Sequence, residues 1–176
     1  MPPQRAPYFV DALIRNTTIK TISFGSDFQR EAINSHMEKY LSRTTSLVQL
    51  ELRAVDTNDY HYDNRKLLAN DILHIAKALR FNTSLEILNL SYQNKLTDTG
   101  IRHLIDAIKM NSSCKLREVK IEGIPLSKEI KYELRKILEP NAVKHAHREM
   151  LSRQQREQTQ AKVTPTNINI ETPKPF

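Results

Sequence analysis

Four segments of this chain repeat one apolar spacing, and that repetition restricts the fold more than any single motif does. They run from Asn16-Thr17-Thr18-Ile19 to Phe24, from Thr44-Thr45-Ser46-Leu47 to Leu52, from Asn82-Thr83-Ser84-Leu85 to Leu90, and from Asn111-Ser112-Ser113-Cys114 through Leu116 to Ile121. In each, three apolar residues stand three and then two positions apart, as in Ile19, Ile22 and Phe24. The first anchors, Ile19, Leu47, Leu85 and Leu116, recur at intervals of 28, 38 and 31 residues. A period of this size marks a stacked repeat architecture. The last two apolar positions alternate with polar ones, which predicts a short strand with one buried face. Ile22/Phe24, Leu50/Leu52, Leu88/Leu90 and Val119/Ile121 are the inward pairs.

A helical stripe accompanies each strand. Ile33, Met37, Tyr40 and Leu41 form one, Ile72, Ile75, Ala76 and Leu79 the next, and Ile101, Leu104, Ile105 and Ile108 the third. A shorter helix is expected over 8–15, and a last one carries Ile130, Leu134, Ile137 and Leu138. Thr97-Asp98-Thr99-Gly100 and Ser127 supply capping oxygens, and Pro140 is expected to end the last helix near Leu138 or Glu139. The resulting fold class is α/β: a short curved solenoid of about four helix–strand units with parallel strands, a helical C-terminal cap and an extended tail. One such unit cannot cover its own apolar face, so the units must stack into a common core. The domain division expected is 1–138 for the solenoid and 139–176 for a partly helical, then extended, segment.

The stretch Asn82-Thr83-Ser84-Leu85-Glu86-Ile87-Leu88-Asn89-Leu90, continuing to Asn94, Leu96 and Thr97-Asp98-Thr99-Gly100, resembles the ribonuclease-inhibitor class of leucine-rich repeats. That class includes ribonuclease inhibitors, activators of the Ran GTPase, and the actin-capping tropomodulins and leiomodins. The Asn-Thr-Ser/Thr before each strand and the Thr-Asp-x-Gly turn are most similar to the tropomodulin-related group. The resemblance covers roughly residues 8–138. It departs from the common pattern at one extra residue between Leu90 and Asn94, and at an Asp-, Asn- and Tyr-rich insertion between Ala54 and Asn70. It implies a solenoid with a protein-binding habit and suggests a cytoskeletal setting, such as actin or a ciliary assembly. GTPase activation is the alternative that the Ran activators supply.

Composition narrows the function classes. The chain has 176 residues, 39% hydrophobic and 27% charged, and it lacks an apolar run of the ~18 residues needed to cross a bilayer. Its start shows no apolar stretch of a secretory signal, and Cys114 is its single cysteine. Both favour a cytoplasmic setting and exclude a disulfide framework or a cysteine-based zinc cluster. The net charge of +7 is dispersed, which suits an acidic protein surface better than nucleic acid.

No catalytic, cofactor or metal site is expected. The triplets at Asn16, Asn82 and Asn111 match the glycosylation acceptor, but their recurrence before each strand points to side chains that shape the turn. His36, His61, His74, His103, His145 and His147 show no compact ligand spacing. Asp56, Asp59, Asp63 and Asp71 lie in or beside the insertion and are read as solvated acids. Three glycines cannot build a phosphate-cradling loop. Cys114 falls where an apolar residue belongs.

Function therefore rests on surfaces. The strand side offers Gln49, Glu51, Arg53, Glu86, Asn89, Ser91, Tyr92, Glu118 and Lys120, all expected to face solvent or a partner. The insertion offers Tyr60, His61 and Tyr62, an aromatic–polar mixture favoured in interfaces. In 141–160 a thin stripe runs from Val143 through Ala146 to Met150, and the chain ends in Phe176, so Met150 and Phe176 are candidate docking anchors. The reading is a non-enzymatic interaction or structural subunit whose partner is a protein or multiprotein assembly, with a docking tail and no membrane insertion.

Overall fold

The computed structural model describes residues 12–24, 35–54 and 66–163. Its elements in order are β1 (Thr21–Ser23), α1 (Ser35–Arg43), β2 (Gln49–Glu51), α2 (Ala69–Leu79), β3 (Ile87–Asn89), α3 (Asp98–Met110), β4 (Glu118–Lys120) and α4 (Lys128–Val163). Residues 12–15 add a helical turn ahead of β1. The chain divides into two compact units, 1–142 and 143–176, and α4 contributes to both.

In the first unit the four strands form one parallel sheet in the order β1-β2-β3-β4. Ile22, Leu50, Leu88 and Val119 fall in register, so each strand places an apolar side chain at the same level of the core. The strands are three residues long, too short for an isolated sheet of this kind to persist. Stability has to come from the layer behind them. There, α1 packs on α2 and α2 on α3, burying Met37, Tyr40 and Leu41, then Ile72, Ile75 and Leu79, then Ile101, Leu104 and Ile108. Burial pushes the Tyr40 phenol pKa upward, partly offset by the neighbouring Thr44 hydroxyl. Leu50, Leu52, Leu88 and Leu90 are fully buried against these helices, whereas Ile121, at the end of the stack, is half-buried.

The turns before the strands are knitted by amide side chains. Asn16 Oδ1 accepts the Thr18 and Ile19 N–H groups at 2.9 and 2.7 Å. Asn82 Oδ1 accepts those of Ser84 and Leu85 at 3.0 and 2.7 Å, while its Nδ2 donates to the Leu41 carbonyl one repeat earlier at 2.6 Å. Asn111 Oδ1 accepts the Ser113 N–H at 3.0 Å, and its Nδ2 donates to the Leu79 and Asn82 carbonyls at 2.7 and 2.8 Å. Asn141 closes the series by donating to the Cys114 and Leu116 carbonyls at 2.9 and 3.0 Å. The acceptor-like triplets therefore do structural work, as their positions predicted. In the second repeat, where Thr44 replaces asparagine, only a longer 3.4 Å bond from Leu47 N–H to Thr44 Oγ1 is made. The Ser84 hydroxyl then donates to the Thr44 carbonyl at 3.1 Å, linking that repeat to the third.

Two local expectations are overturned. Pro140 does not end α4, which continues to Val163. Proline withholds one helical N–H and normally breaks a helix at a cost of about 3 kcal/mol. Here the next residue, Asn141, is held by two carbonyls of the fourth repeat, and the residues that follow include good helix formers such as Ala142, Glu149 and Arg153. Thr97 stands before α3 but makes no side-chain capping bond. The neighbouring Asp98 instead reaches across to the next helix start and accepts the Ser127 N–H at 3.0 Å. Ser127 caps as expected, its Oγ accepting the Ile130 N–H at 3.3 Å. Residues 55–65 of the insertion, the first half of the expected helix 8–15, Ile33 of the next helical stripe and the tail from 164 lie outside the described residues.

Bonds from the Ser127 hydroxyl and N–H hold the Asp98 carboxyl below the usual carboxylate range. The Lys109 ammonium, at 2.6 Å, and Arg102, at 3.3 Å, do the same for Glu133. A carboxylate whose folded-state pKa is depressed stabilises the fold above its unfolded pKa and loses that contribution as pH falls through the folded value. Stability should therefore decline below about pH 5, toward the ordinary carboxylate range. Asp98→Asn should flatten part of that decline when urea unfolding is followed between about pH 6 and pH 3. An unchanged acid limb in the variant would contradict the assignment.

Candidate protein-binding surface

The polar positions of the strands separate into a buried network and an exposed platform. Glu51 is the centre of the network. Its Oε1 accepts from Gln49 Nε2, and its Oε2 accepts from Asn89 Nδ2 at 2.6 Å. Gln49 and Glu51 are half-buried. Asn89 and Ser91 are buried, at 7% and 3% exposure, which corrects their expected place on the open face. The reason is the turn after β3: Asn89 Oδ1 accepts the Ser91 N–H at 3.0 Å, and the Ser91 carbonyl accepts the Ala54 N–H at 2.9 Å. Polar groups in that position serve neighbouring backbone rather than a partner.

Gln93 completes the same turn and was not singled out by the sequence reading. It is fully buried; its Nε2 donates to the Leu52 carbonyl at 2.6 Å and its Oε1 accepts the Leu67 N–H at 2.8 Å. One side chain thus fastens the two chain segments that flank the insertion. The extra residue between Leu90 and Asn94 was the available signal, since an added residue in a repeat must go somewhere.

Beside this network, Glu86 and Arg117 pair at 3.1 Å with about a fifth of each side chain exposed. Arg117 was also missed. The register sets Ile87 opposite Glu118, so Glu86 and Arg117 occupy equivalent positions in adjacent repeats. Opposite charges at equivalent positions were legible once the repeats are aligned.

The exposed platform is built around Tyr92. Its φ is +65°, a left-handed conformation uncommon outside glycine, and its N–H donates to the Glu122 carbonyl at 2.6 Å. The Arg53 guanidinium lies 4.9 Å from the centre of the Tyr92 ring, within cation–π range. Gly123, at φ +69°, also lies against the ring: a Cβ there would come within 2.7 Å of Tyr92 Cδ1. The ring thus meets residues of the second repeat and of the turn after the fourth. Glu118 is half-buried nearby in sequence and Lys120 is exposed, so the face carries both signs of charge.

The remaining candidates do not join this surface. Tyr60, His61, Tyr62 and Phe176 lie outside the described residues. Met150 belongs to the second unit, where it is 52% exposed along with Val143 and Leu151. His74 Nδ1 contacts Glu38 Oε2 at 2.8 Å and ties α2 to α1. Asp71, read from the sequence as a solvated acid, accepts the Leu68 N–H at 2.7 Å at the start of α2. Among the described residues no three His, Cys, Asp or Glu side chains group as metal ligands, and no helix is long and apolar enough to cross a membrane. Cys114 is buried, and burial pushes its thiol pKa up, away from reactivity.

The fold is similar to that of the leiomodin-1 actin-binding site 2 structure, with a TM-score of 0.57 over 88% of this chain and 82% of that one, at 14% identity. A weaker likeness is found to a tropomodulin C-terminal domain from Caenorhabditis elegans, with a TM-score of 0.47 at 13% identity over 85% of this chain and 99% of that one. The first likeness bears out the fold expected from the sequence, parallel strands alternating with helices in leucine-rich-repeat fashion. No family model and no curated protein matches the sequence.

Gly123→Ala should destabilise the first unit by roughly 1–3 kcal/mol, because a side chain there meets both a left-handed backbone and the Tyr92 ring. Urea unfolding measures the loss, and near-ultraviolet circular dichroism should show the tyrosine signal change. Full stability in the variant would sink the role assigned to this glycine.

Proposed function

We propose that this chain is a non-enzymatic interaction subunit of a cytoskeletal assembly and that actin is its partner. The likeness to a leiomodin-1 domain named for actin binding is the observation that carries this reading. The strand side of the first unit supplies the contact: Arg53 and Tyr92 as a rigid aromatic–cationic anchor, with Gln49, Glu51, Glu86, Glu118 and Lys120 around it. Aromatic and arginine anchors of this kind dominate protein interfaces, whereas the polar residues around them set orientation.

In this reading residues 1–138 are the binding domain and 139–176 form a second docking segment, with Met150 and Phe176 as its apolar anchors. Linking two contacts raises overall affinity without new chemistry at either. The insertion residues Tyr60, His61 and Tyr62 extend the first contact, and the setting is cytoplasmic. Nucleic acid is a poorer partner for this face, because Glu51, Glu86 and Glu118 interrupt its cations.

Co-sedimentation of the full chain with actin filaments, beside pull-down with monomeric actin, tests the proposal. Saturable association with at least one form is expected. Arg53→Glu combined with Lys120→Glu should weaken it about tenfold or more, the effect of losing ~1.4 kcal/mol or more of binding energy. Absence of binding to both forms, or binding indifferent to the charge reversal, would overturn it.

A further inference from the structure

The helical layer has an outer face of its own, and between α1 and α2 that face forms a groove pinned at two points. His74 Nδ1 of α2 meets Glu38 Oε2 of α1 at 2.8 Å. Just past the end of α2, Asn82 Nδ2 donates to the Leu41 carbonyl of α1 at 2.6 Å. With the buried stripes beneath them, these bonds hold the two helices at a set spacing. The groove measures about 480 Å3 and belongs wholly to the first unit. That is within the ~300–1,000 Å3 typical of ligand clefts.

Its lining is unbalanced in charge. Ser35, Glu38, Lys39 and Ser42 stand at helical spacing along α1, and Lys77, Arg80 and Phe81 line the α2 side. Lys39, Lys77 and Arg80 are exposed, and among the described residues none of the three has an ion-pair partner. The one acid, Glu38, is already bonded to His74. Cations near a helix C-terminus are favoured by the backbone dipole, which suits Lys77 and Arg80. It does not account for Lys39, midway along α1, lining the same groove. Like charges around one groove repel, and an anionic occupant removes that cost.

Charge alone would suit any anion, and Phe81 narrows the choice. Its backbone N–H is fixed to the Ala78 carbonyl at 3.0 Å, yet the residue is 71% exposed. Met110 precedes Asn111 as Phe81 precedes Asn82, and it is 66% exposed, so the apolar edge recurs in the next repeat. Cations beside an exposed aromatic are matched by a chain that carries carboxylates next to apolar side chains.

We propose that the α1–α2 groove binds an acidic segment of a partner protein, with carboxylates on Lys39, Lys77 and Arg80 and a neighbouring apolar side chain on Phe81. The site uses none of the strand-side residues and does not rest on the actin reading.

The probe is a fluorescein-labelled peptide of glutamates around one leucine, titrated against the full chain by fluorescence polarisation. Saturable binding is expected, about tenfold weaker when glutamine replaces the glutamates and about threefold weaker when serine replaces the leucine. Lys77→Glu with Arg80→Glu, both exposed positions, should reverse the preference toward a lysine version of the peptide, which unfolding could not do. Phe81→Ser should erase the difference between the leucine and serine peptides. Arg135→Glu with Lys136→Glu changes the net charge equally but elsewhere, and should leave the affinity within about twofold. Arg53→Glu with Lys120→Glu should do the same, which separates failure here from failure of the actin reading. The proposal is overturned by absence of saturable binding, by an equal loss in the Arg135/Lys136 variant, or by indifference to the leucine. Tighter binding of a single-stranded oligonucleotide through the same Lys77, Arg80 and Phe81 would overturn it in favour of nucleic acid.

Discussion

At the turn before a strand, an amide side chain faces two ways, and the rest of the first unit depends on that geometry. The oxygen of Asn82 accepts N–H groups from its own repeat, while its nitrogen donates to a carbonyl of the repeat before. Asparagine can do both because it carries an acceptor and a donor on one short side chain, so it satisfies backbone groups that would otherwise be buried unpaired. Leaving such a group unsatisfied costs about 1–3 kcal/mol. Three-residue strands make few ladder bonds of their own, and the amide rungs fix their spacing and register. Helix burial then supplies the driving force, because no single repeat covers its apolar face.

This scaffold decides which polar residues are available for binding. Close stacking consumes Asn89, Ser91 and Gln93 in backbone bonds and leaves Arg53, Tyr92 and Lys120 toward the outside. Tyr92 is positioned by two neighbours, Arg53 of the second repeat and the bare backbone of Gly123 after the fourth. A side chain held so firmly loses little freedom when a partner arrives, which favours binding by an ordered anchor. Among the described residues the sheet ends at β4, where Val119, Leu134 and Leu138 are buried in the core.

The repeat plan was legible because apolar spacing is a local property of the chain. Ile22, Leu50, Leu88 and Val119 announced their common face, and the structure sets them in one register. The asparagine triplets were legible for the same reason. What could not be read was the fate of polar side chains whose partners are remote in sequence. Period-two alternation placed Asn89 outward, but Glu51, 38 residues earlier, and the turn at Ser91 draw it in. Pro140 was read by local propensity as a stop; the bonds of Asn141 to residues 25 and 27 positions earlier override it. Asp98 was read as a local cap but reaches Ser127. Local rules located the elements, whereas contacts between repeats assigned the surface.

Native-state hydrogen exchange tests the ladder account most directly. The amide of Leu52 in the second repeat and those of Leu85 and Leu90 in the third donate to Asn89 O, Asn82 Oδ1 and Lys120 O respectively. If the rungs bind the repeats into one cooperative body, these amides should exchange with a single free energy equal to that of global unfolding. Separate and lower free energies for the second and third repeats would contradict it, because each repeat would then open without its neighbours.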